Sequence, residues 1–413
     1  MSKIASALRQ LPLLRVALPI ITAFALAALL ALGCGGGQDE GPSVTATISP
    51  TTPVATATPV ATAVPTVAPQ DLTERGPFAV GVSTLTLVDK SRPTDANGSY
   101  PGADTRTLVT EVWYPAEGRT QPVEIRDAPL DSSQAPYPLI VFSHGYTGVR
   151  RQSVSSTTHL ASHGYIVISP DYPLSNGSAP GGPRSGDVLN QPGDVSFLID
   201  SFLSFADEPG NQFEGAIDET AIGLTGHSLG GLTTILATFG PLADPRVEAA
   251  LPLAAPACLV GSRTYEDSDT PLLVVGGSDD QLVAFESVRQ AYDAASPPKY
   301  LLTLLGGNHL RFADADLEDF PPGTLASAGG ETFLKDGARI MQATRADPAA
   351  CPEAEASTQD LPGERQRELV RLFGTAFFDY YLKGDEGTSH VLTTEFAQTI
   401  PEAELDLEQA PTE

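Results

Sequence analysis

A serine set among glycines is the feature of this chain best suited to covalent chemistry: Gly226-His227-Ser228-Leu229-Gly230-Gly231. It follows a short apolar run, Ala221 to Thr225, and opens a helical pattern that continues to Phe239. That context is what a G-x-S-x-G nucleophile elbow requires. The turn is so sharp that the flanking positions must be small; Gly226 and Gly230 satisfy this, and Gly231 allows the helix to pack closely. Such an elbow lifts the hydroxyl clear of a sheet and points a helix N-terminus at the reaction centre.

A hydroxyl is a weak nucleophile until a base takes its proton. Around an elbow of this kind the nucleophile, acid and base follow one another in that chain order. Of the six histidines, His144, His159 and His163 precede Ser228, and His227 lies inside the elbow. Only His309 and His390 come later, and His390 falls in a polar C-terminal stretch. His309 sits in Gly306-Gly307-Asn308-His309, just past a strand pattern ending at Leu305. Ligands meet open α/β sheets at such strand ends, which makes His309 the expected base. The acid should follow the preceding strand, LLVVGGSDDQLV, where Asp279 and Asp280 are both placed to orient the imidazole. The oxyanion of a tetrahedral intermediate needs at least two fixed donors. The backbone N–H of Leu229 is one. The loop after PLIVFS, Ser143-His144-Gly145-Tyr146-Thr147-Gly148, supplies the other, with the Tyr146 N–H best placed.

The elements that must hold these groups read as short apolar strands alternating with helical patterns. Strands are expected over 78–88, 107–114, 138–143, 165–169, 221–225, 247–253, 272–276 and 300–305, and helices over 192–206, 229–239, 283–294 and 364–383. The alternation predicts an α/β protein with a mostly parallel central sheet and helices on both faces. The polar stretch from about Phe312 to Leu361 is long enough for a lid or a substrate-side insertion.

The 413 residues carry 51 acidic side chains against 24 Lys and Arg, a net charge of -27. No basic run appears, so nucleic acid is excluded as a partner. Lys3, Arg9 and Arg15 precede an apolar stretch from Val16 to Leu32, broken by Pro19 and Thr22 and ending in Ala31-Leu32-Gly33-Cys34. This resembles a bacterial lipoprotein signal, with Cys34 as the lipidated residue; an uncleaved membrane anchor is the alternative. Either places the remainder outside the cytoplasmic membrane, with this anchor its only membrane attachment. Residues 38 to 70 are rich in Thr, Pro, Ala and Val, an extended tether. The expected divisions are a signal at 1–34, a linker at 35–75, a catalytic domain at 76–385 and an acidic, mobile tail at 386–413. Cys258 and Cys351 either pair or remain separate buried thiols. With no histidine near them they do not form a structural zinc site, and neither a metal nor another cofactor is expected.

Four stretches carry a family resemblance: VTEVWYPA at 109–116, PLIVFSHGYTG at 138–148, LASHGYIVISPDYP at 160–173 and LTGHSLGG at 224–231. Together they resemble one branch of the α/β-hydrolases, the platelet-activating-factor acetylhydrolase-like and dienelactone-hydrolase-like esterases, with the cutinase-type polyester hydrolases nearby. The resemblance implies a triad of Ser228, Asp280 and His309 and an oxyanion hole of Tyr146 and Leu229. Asp280 is preferred to Asp279 because G-x-x-D, then a polar and an apolar residue, is the usual family spacing. Polyesterases of this branch carry Met where Leu229 stands, and a Trp after the next strand, where this chain reads LPLAAPAC. The implied activity is hydrolysis of carboxylic esters through an acyl-enzyme, without cofactor, by a monomer. A serine peptidase or amidase of the same fold and a non-catalytic surface binding protein are the competing readings. A propeller or an Arg-paired cap would mark the peptidase, and neither is found; a binding module has no need of Ser, Asp and His in this order.

Overall fold

The computed structural model describes residues 71–266, 268–314, 331–354 and 360–409. The apolar Val16–Leu32 stretch, Cys34 and the Pro-rich segment to residue 70 lie outside them. Among the described residues, no helix is long and apolar enough to cross a membrane.

Ten strands form one sheet in the order β10-β9-β8-β7-β6-β4-β5-β2-β1-β3. They are β1 (Ala79–Asp89), β2 (Arg106–Ala116), β3 (Ile125–Arg126), β4 (Tyr137–Ser143), β5 (Ile166–Asp171), β6 (Ile217–His227), β7 (Val247–Leu253), β8 (Leu272–Gly277), β9 (Lys299–Leu304) and β10 (Ala403–Glu408). From β5 through β4, β6, β7 and β8 to β9 every neighbour is parallel. Antiparallel pairs join β2 to β1 and β5 on one flank and β10 to β9 on the other.

Alternate residues of a strand face opposite sides of a sheet, and the two sides bury different clusters. Ile140 and Phe142 of β4, Leu273 and Val275 of β8, and Leu302 and Leu304 of β9 share one core with Leu369, Phe373 and Phe377 of helix α6 (Gly363–Lys383). Leu139, Val141, Ile166 and Ile168 face Leu198, Ile199 and Phe202 of α2 (Gln191–Asp207) on the opposite side. On that same side Leu272, Val274 and Leu301 meet Leu232 and Ile235 of α3 (Leu229–Thr238) and Val288 of α4 (Phe285–Ala294). Strands buried on both faces are apolar throughout, which is why the central strands read as unbroken apolar runs. Before them in the chain, α1 (Val154–Ser162) links β4 to β5.

Two boundaries differ from the sequence expectation. Residues 71–75 are not linker: Leu72 is buried in the main core, and Gly76 lies so close to the Ser162 carbonyl that a side chain there would overlap it. Nor are residues 386–409 a mobile tail. Glu386–Leu392 and α7 (Thr394–Ala397) lead into β10, which pairs along its whole length with β9. Ala403 and Leu405 bury themselves in the main core while Glu404 and Asp406 project outward. The acidic residues that suggested a tail form the outer row of a period-two strand, and charge on an exposed edge discourages further strand pairing.

The insertion after His309 contributes α5 (Glu331–Thr344). The Thr344 hydroxyl donates to the Leu259 carbonyl at 2.6 Å, and Cys351 is disulfide-bonded to Cys258. Asp336 accepts from the Ser185 hydroxyl at 3.0 Å and the Gly186 N–H at 2.9 Å, and Ile340 packs in the same apolar cluster as Leu229.

Candidate active site

Ser228 joins β6 to α3 with φ 57° and ψ -117°. A non-glycine residue at positive φ is strained, and such strain concentrates at functional sites where the surroundings enforce it. The enforcement is visible here. The Ser228 N–H donates to the Leu253 carbonyl of β7 at 2.8 Å. A side chain on Gly230 would overlap the Ser143 carbonyl, and one on Gly226 would come within 2.5 Å of the Gly230 oxygen. Both glycines are therefore set by backbone packed against backbone, and the hydroxyl is left as the apex of the turn.

The ends of β8 and β9 bring two more groups to this apex. Gly277 and Gly307 touch backbone to backbone, and the Asp279 N–H donates to the Gly307 carbonyl at 3.0 Å. That close approach sets the loops bearing Asp280 and His309 side by side. His309 Nδ1 lies 2.6 Å from Asp280 Oδ2, and His309 Nε2 lies 2.9 Å from the Ser228 Oγ. The other oxygen of Asp280 accepts from the N–H groups of Leu282 and Val283 at 2.9 and 2.8 Å. With Asp280 accepting at Nδ1, the ring proton lies on Nδ1 and Nε2 is free to accept from the serine. Both the imidazole and the carboxylate are buried. Asp279, the sequence alternative, is also buried, but the carboxylate that meets His309 Nδ1 is that of Asp280.

The His309 loop is clamped from behind. Gln366, fully buried on α6, accepts from the Asn308 N–H at 2.9 Å and donates to the Asn308 carbonyl at 2.9 Å. Sequence reading did not single out Gln366, because a glutamine within a charged helix carries no local signal.

Leu229 is the first residue of α3, so its N–H belongs to the helix turn that has no partner within the helix. Tyr146 follows β4 on the loop facing it. Its hydroxyl donates to the Pro183 carbonyl at 3.0 Å, and its ring packs beside the cluster that holds Leu229 and Ile340. Burial, then the nearby charge of Asp336, pushes the Tyr146 phenol up from its ordinary pKa. The arrangement can attack a carbonyl carbon, transfer one proton to and fro, and hold an oxyanion against backbone donors. Among the described residues no group of His, Cys, Asp and Glu could hold a metal. Trp113, the single tryptophan, is fully buried in β2.

The chain is similar to several known proteins. Residues 106–173 match the family model of platelet-activating factor acetylhydrolase, isoform II. The chain is 26% identical over 233 residues to cutinase est1 of Thermobifida alba, a match covering 56% of this chain and 67% of that protein. It is 28% identical over 169 residues to the bis(hydroxyethyl) terephthalate hydrolase of Streptomyces coelicolor, covering 41% of this chain and 48% of that one. Among solved structures, a ferulic acid esterase from Streptomyces cinnamoneus superposes with a TM-score of 0.51 at 22% identity, over 77% of this chain and 94% of its own. The sheet order and the elbow give this chain the α/β-hydrolase fold. Within that fold it is an ester hydrolase, similar in sequence to cutinase-type polyester hydrolases.

Proposed function

We propose that the chain hydrolyses carboxylic esters with Ser228 as nucleophile, His309 as general base and acid, and Asp280 as the group that orients and stabilises the imidazole. The observation that carries this reading is the unbroken line Ser228 Oγ, His309 Nε2, His309 Nδ1, Asp280 Oδ2, with links of 2.9 and 2.6 Å. Ser228 Oγ bonds to the ester carbonyl carbon as its proton passes to His309 Nε2. The carbonyl oxygen, now an anion, is held by the N–H groups of Leu229 and Tyr146. Collapse of the intermediate breaks the bond to the alkoxy oxygen, which leaves as the alcohol with the proton from His309. Water then repeats the sequence on the acyl-serine and releases the acid.

The acyl donors proposed are short-to-medium acyl esters, lipid esters or polyester units. The relatives named for cutin and for bis(hydroxyethyl) terephthalate support the last of these. Against a polymer-gripping surface stand the burial of Trp113 and the presence of Leu229 and LPLAAPAC where polyesterases carry Met and Trp. The test is hydrolysis of p-nitrophenyl acetate, butyrate, octanoate and palmitate and of bis(hydroxyethyl) terephthalate, beside Ser228→Ala. Turnover that disappears in the variant is the expected result, and the chain-length profile then bounds the acyl pocket. A folded wild-type protein with no turnover and no fluorophosphonate labelling would overturn the proposal.

The site of action proposed is outside the cytoplasmic membrane, with the chain monomeric and anchored through a lipidated Cys34. The Cys258–Cys351 disulfide supports an oxidising compartment. Recovery in the membrane fraction, lost on Cys34→Ala, is the expected behaviour; a variant that still sediments with membranes would count against lipidation.

A further inference from the structure

The loop that carries Tyr146 is fixed at Gly145 from both sides. The Gly145 carbonyl accepts from the Gly148 N–H at 2.9 Å and lies 2.7 Å from His144 Nδ1. His144 Nε2 accepts from the Tyr172 N–H at 3.1 Å, so the ring proton is on Nδ1 and points at that carbonyl. On the other side, the Gly145 N–H donates to Gln152 Oε1 at 2.9 Å.

A backbone N–H can only donate, so the Gln152 amide must turn its oxygen to Gly145 and its NH2 the other way. The NH2 lies 2.9 Å from His227 Nδ1. An amide NH2 can also only donate, which makes His227 Nδ1 the acceptor and leaves the His227 ring neutral with its proton on Nε2. The His227 ring lies with its centroid 4.7 Å from that of His309 and stacks on Phe312 at 5.9 Å. The amide sits in space that Gly148 leaves open, since a side chain there would overlap Gln152 Oε1.

We propose that Gln152 is a positioning residue for the hydrolysis, its single amide fixing both the loop that presents the Tyr146 N–H and the uncharged tautomer of the imidazole packed against His309. The inference rests on the proposed roles of Ser228 and His309. A second positive ring beside His309 would oppose the imidazolium that forms each time the serine is deprotonated. A loosened Gly145 would move an oxyanion donor, and displacements of about 1 Å at such groups cost on the order of 100-fold in rate.

The first measurement is the long-range proton–nitrogen spectrum of the wild-type histidine side chains, with His227 identified by the signal missing from His227→Gln. Protonated Nε2 and bare Nδ1 are expected, and a protonated Nδ1 would overturn the proposal. Gln152→Leu removes both bonds; kcat for p-nitrophenyl butyrate should fall about 10- to 100-fold with KM within about 3-fold. An unchanged kcat would overturn it. Gln152→Glu, nearly isosteric, keeps the acceptor for Gly145 but turns an acceptor towards His227. The ring should then become protonated at Nδ1 and kcat should fall, so this variant decides the matter if the leucine variant does not fold. An unaltered His227 spectrum and kcat would again refute the role. The tautomer measurement needs no turnover, so it is separate from a failure of the esterase reading, which would appear as an inactive, unlabelled wild-type protein.

Discussion

Asp280 shows how much of a carboxylate's orientation is set by backbone. One oxygen is occupied by two N–H groups and the other faces His309, so the carboxylate has a single orientation. Asp280→Asn preserves the shape but offers an NH2 or a neutral oxygen to Nδ1, and the histidine loses its reason to hold its proton there. We expect kcat to fall by about 10,000-fold with the fold intact, measured on p-nitrophenyl butyrate with a thermal melt as control. A fall of less than tenfold would mean that another acid, with Asp279 the nearest in sequence, orients the ring. The sequence brought Ser228, His309 and the Asp279–Asp280 pair into view because an elbow, a chain order and a strand end restrict the choices sharply. Gln152 and Gln366 stayed hidden because their work is done across the fold. Gln152 is 75 residues from the ring it touches, and Gln366 is 58 from the loop it clamps.

At the level of elements, the parallel core was legible because strands covered on both faces must be apolar at every position. The pieces that escaped reading have their signal diluted. β10 is half acidic, and α5 lies in a polar insertion with Gly and Pro on either side. Asp336 and Ile340 hold the body of α5, Thr344 fastens its C-terminal end to Leu259, and the chain just beyond it is bridged from Cys351 to Cys258. The bridge spans 93 residues of chain, for which constraint of the unfolded state contributes about 5 kcal/mol. Cys351→Ser should therefore lower the unfolding free energy by that order and the urea midpoint with it, while Ser228 remains reactive to a fluorophosphonate. A midpoint unchanged within error would show that packing alone seats the insertion.

Over the whole molecule, the net charge of -27 coexists with several histidines held uncharged in the interior. Burial, followed by the charges of His163, Arg371 and Arg75, lowers His159 to about 2. Burial is also the main cause of the lowered values of His144, His163 and His227. Once unfolded, each takes up a proton near pH 6.5. Between that value and the lower folded one, the unfolded chain binds more protons, so stability rises with pH across the interval. These groups cost nothing above about pH 6.5 and destabilise progressively below it, by up to about 1.4 kcal/mol per pH unit for each histidine. Urea midpoints measured from pH 7.5 down to 5 should drop, and His159→Gln should make the drop shallower. A flat profile over that range would contradict the interior neutrality of these rings.

The same disulfide has a consequence for wear. Asp280 and His309 both lie on the stretch of chain between Cys258 and Cys351, whereas Ser228 and the Tyr146 loop lie before it. A protease that cuts the peptide backbone anywhere between the two cysteines makes two fragments, one ending in the cut and one beginning there, and the sulfur bridge still ties them together. Since β8, β9 and α6 remain packed against the rest of the sheet, the serine and its histidine need not part company. A nick in the insertion after His309 is thus a change in the gel pattern under reducing conditions before it is a loss of enzyme. That is a form of durability quite separate from resistance to heat.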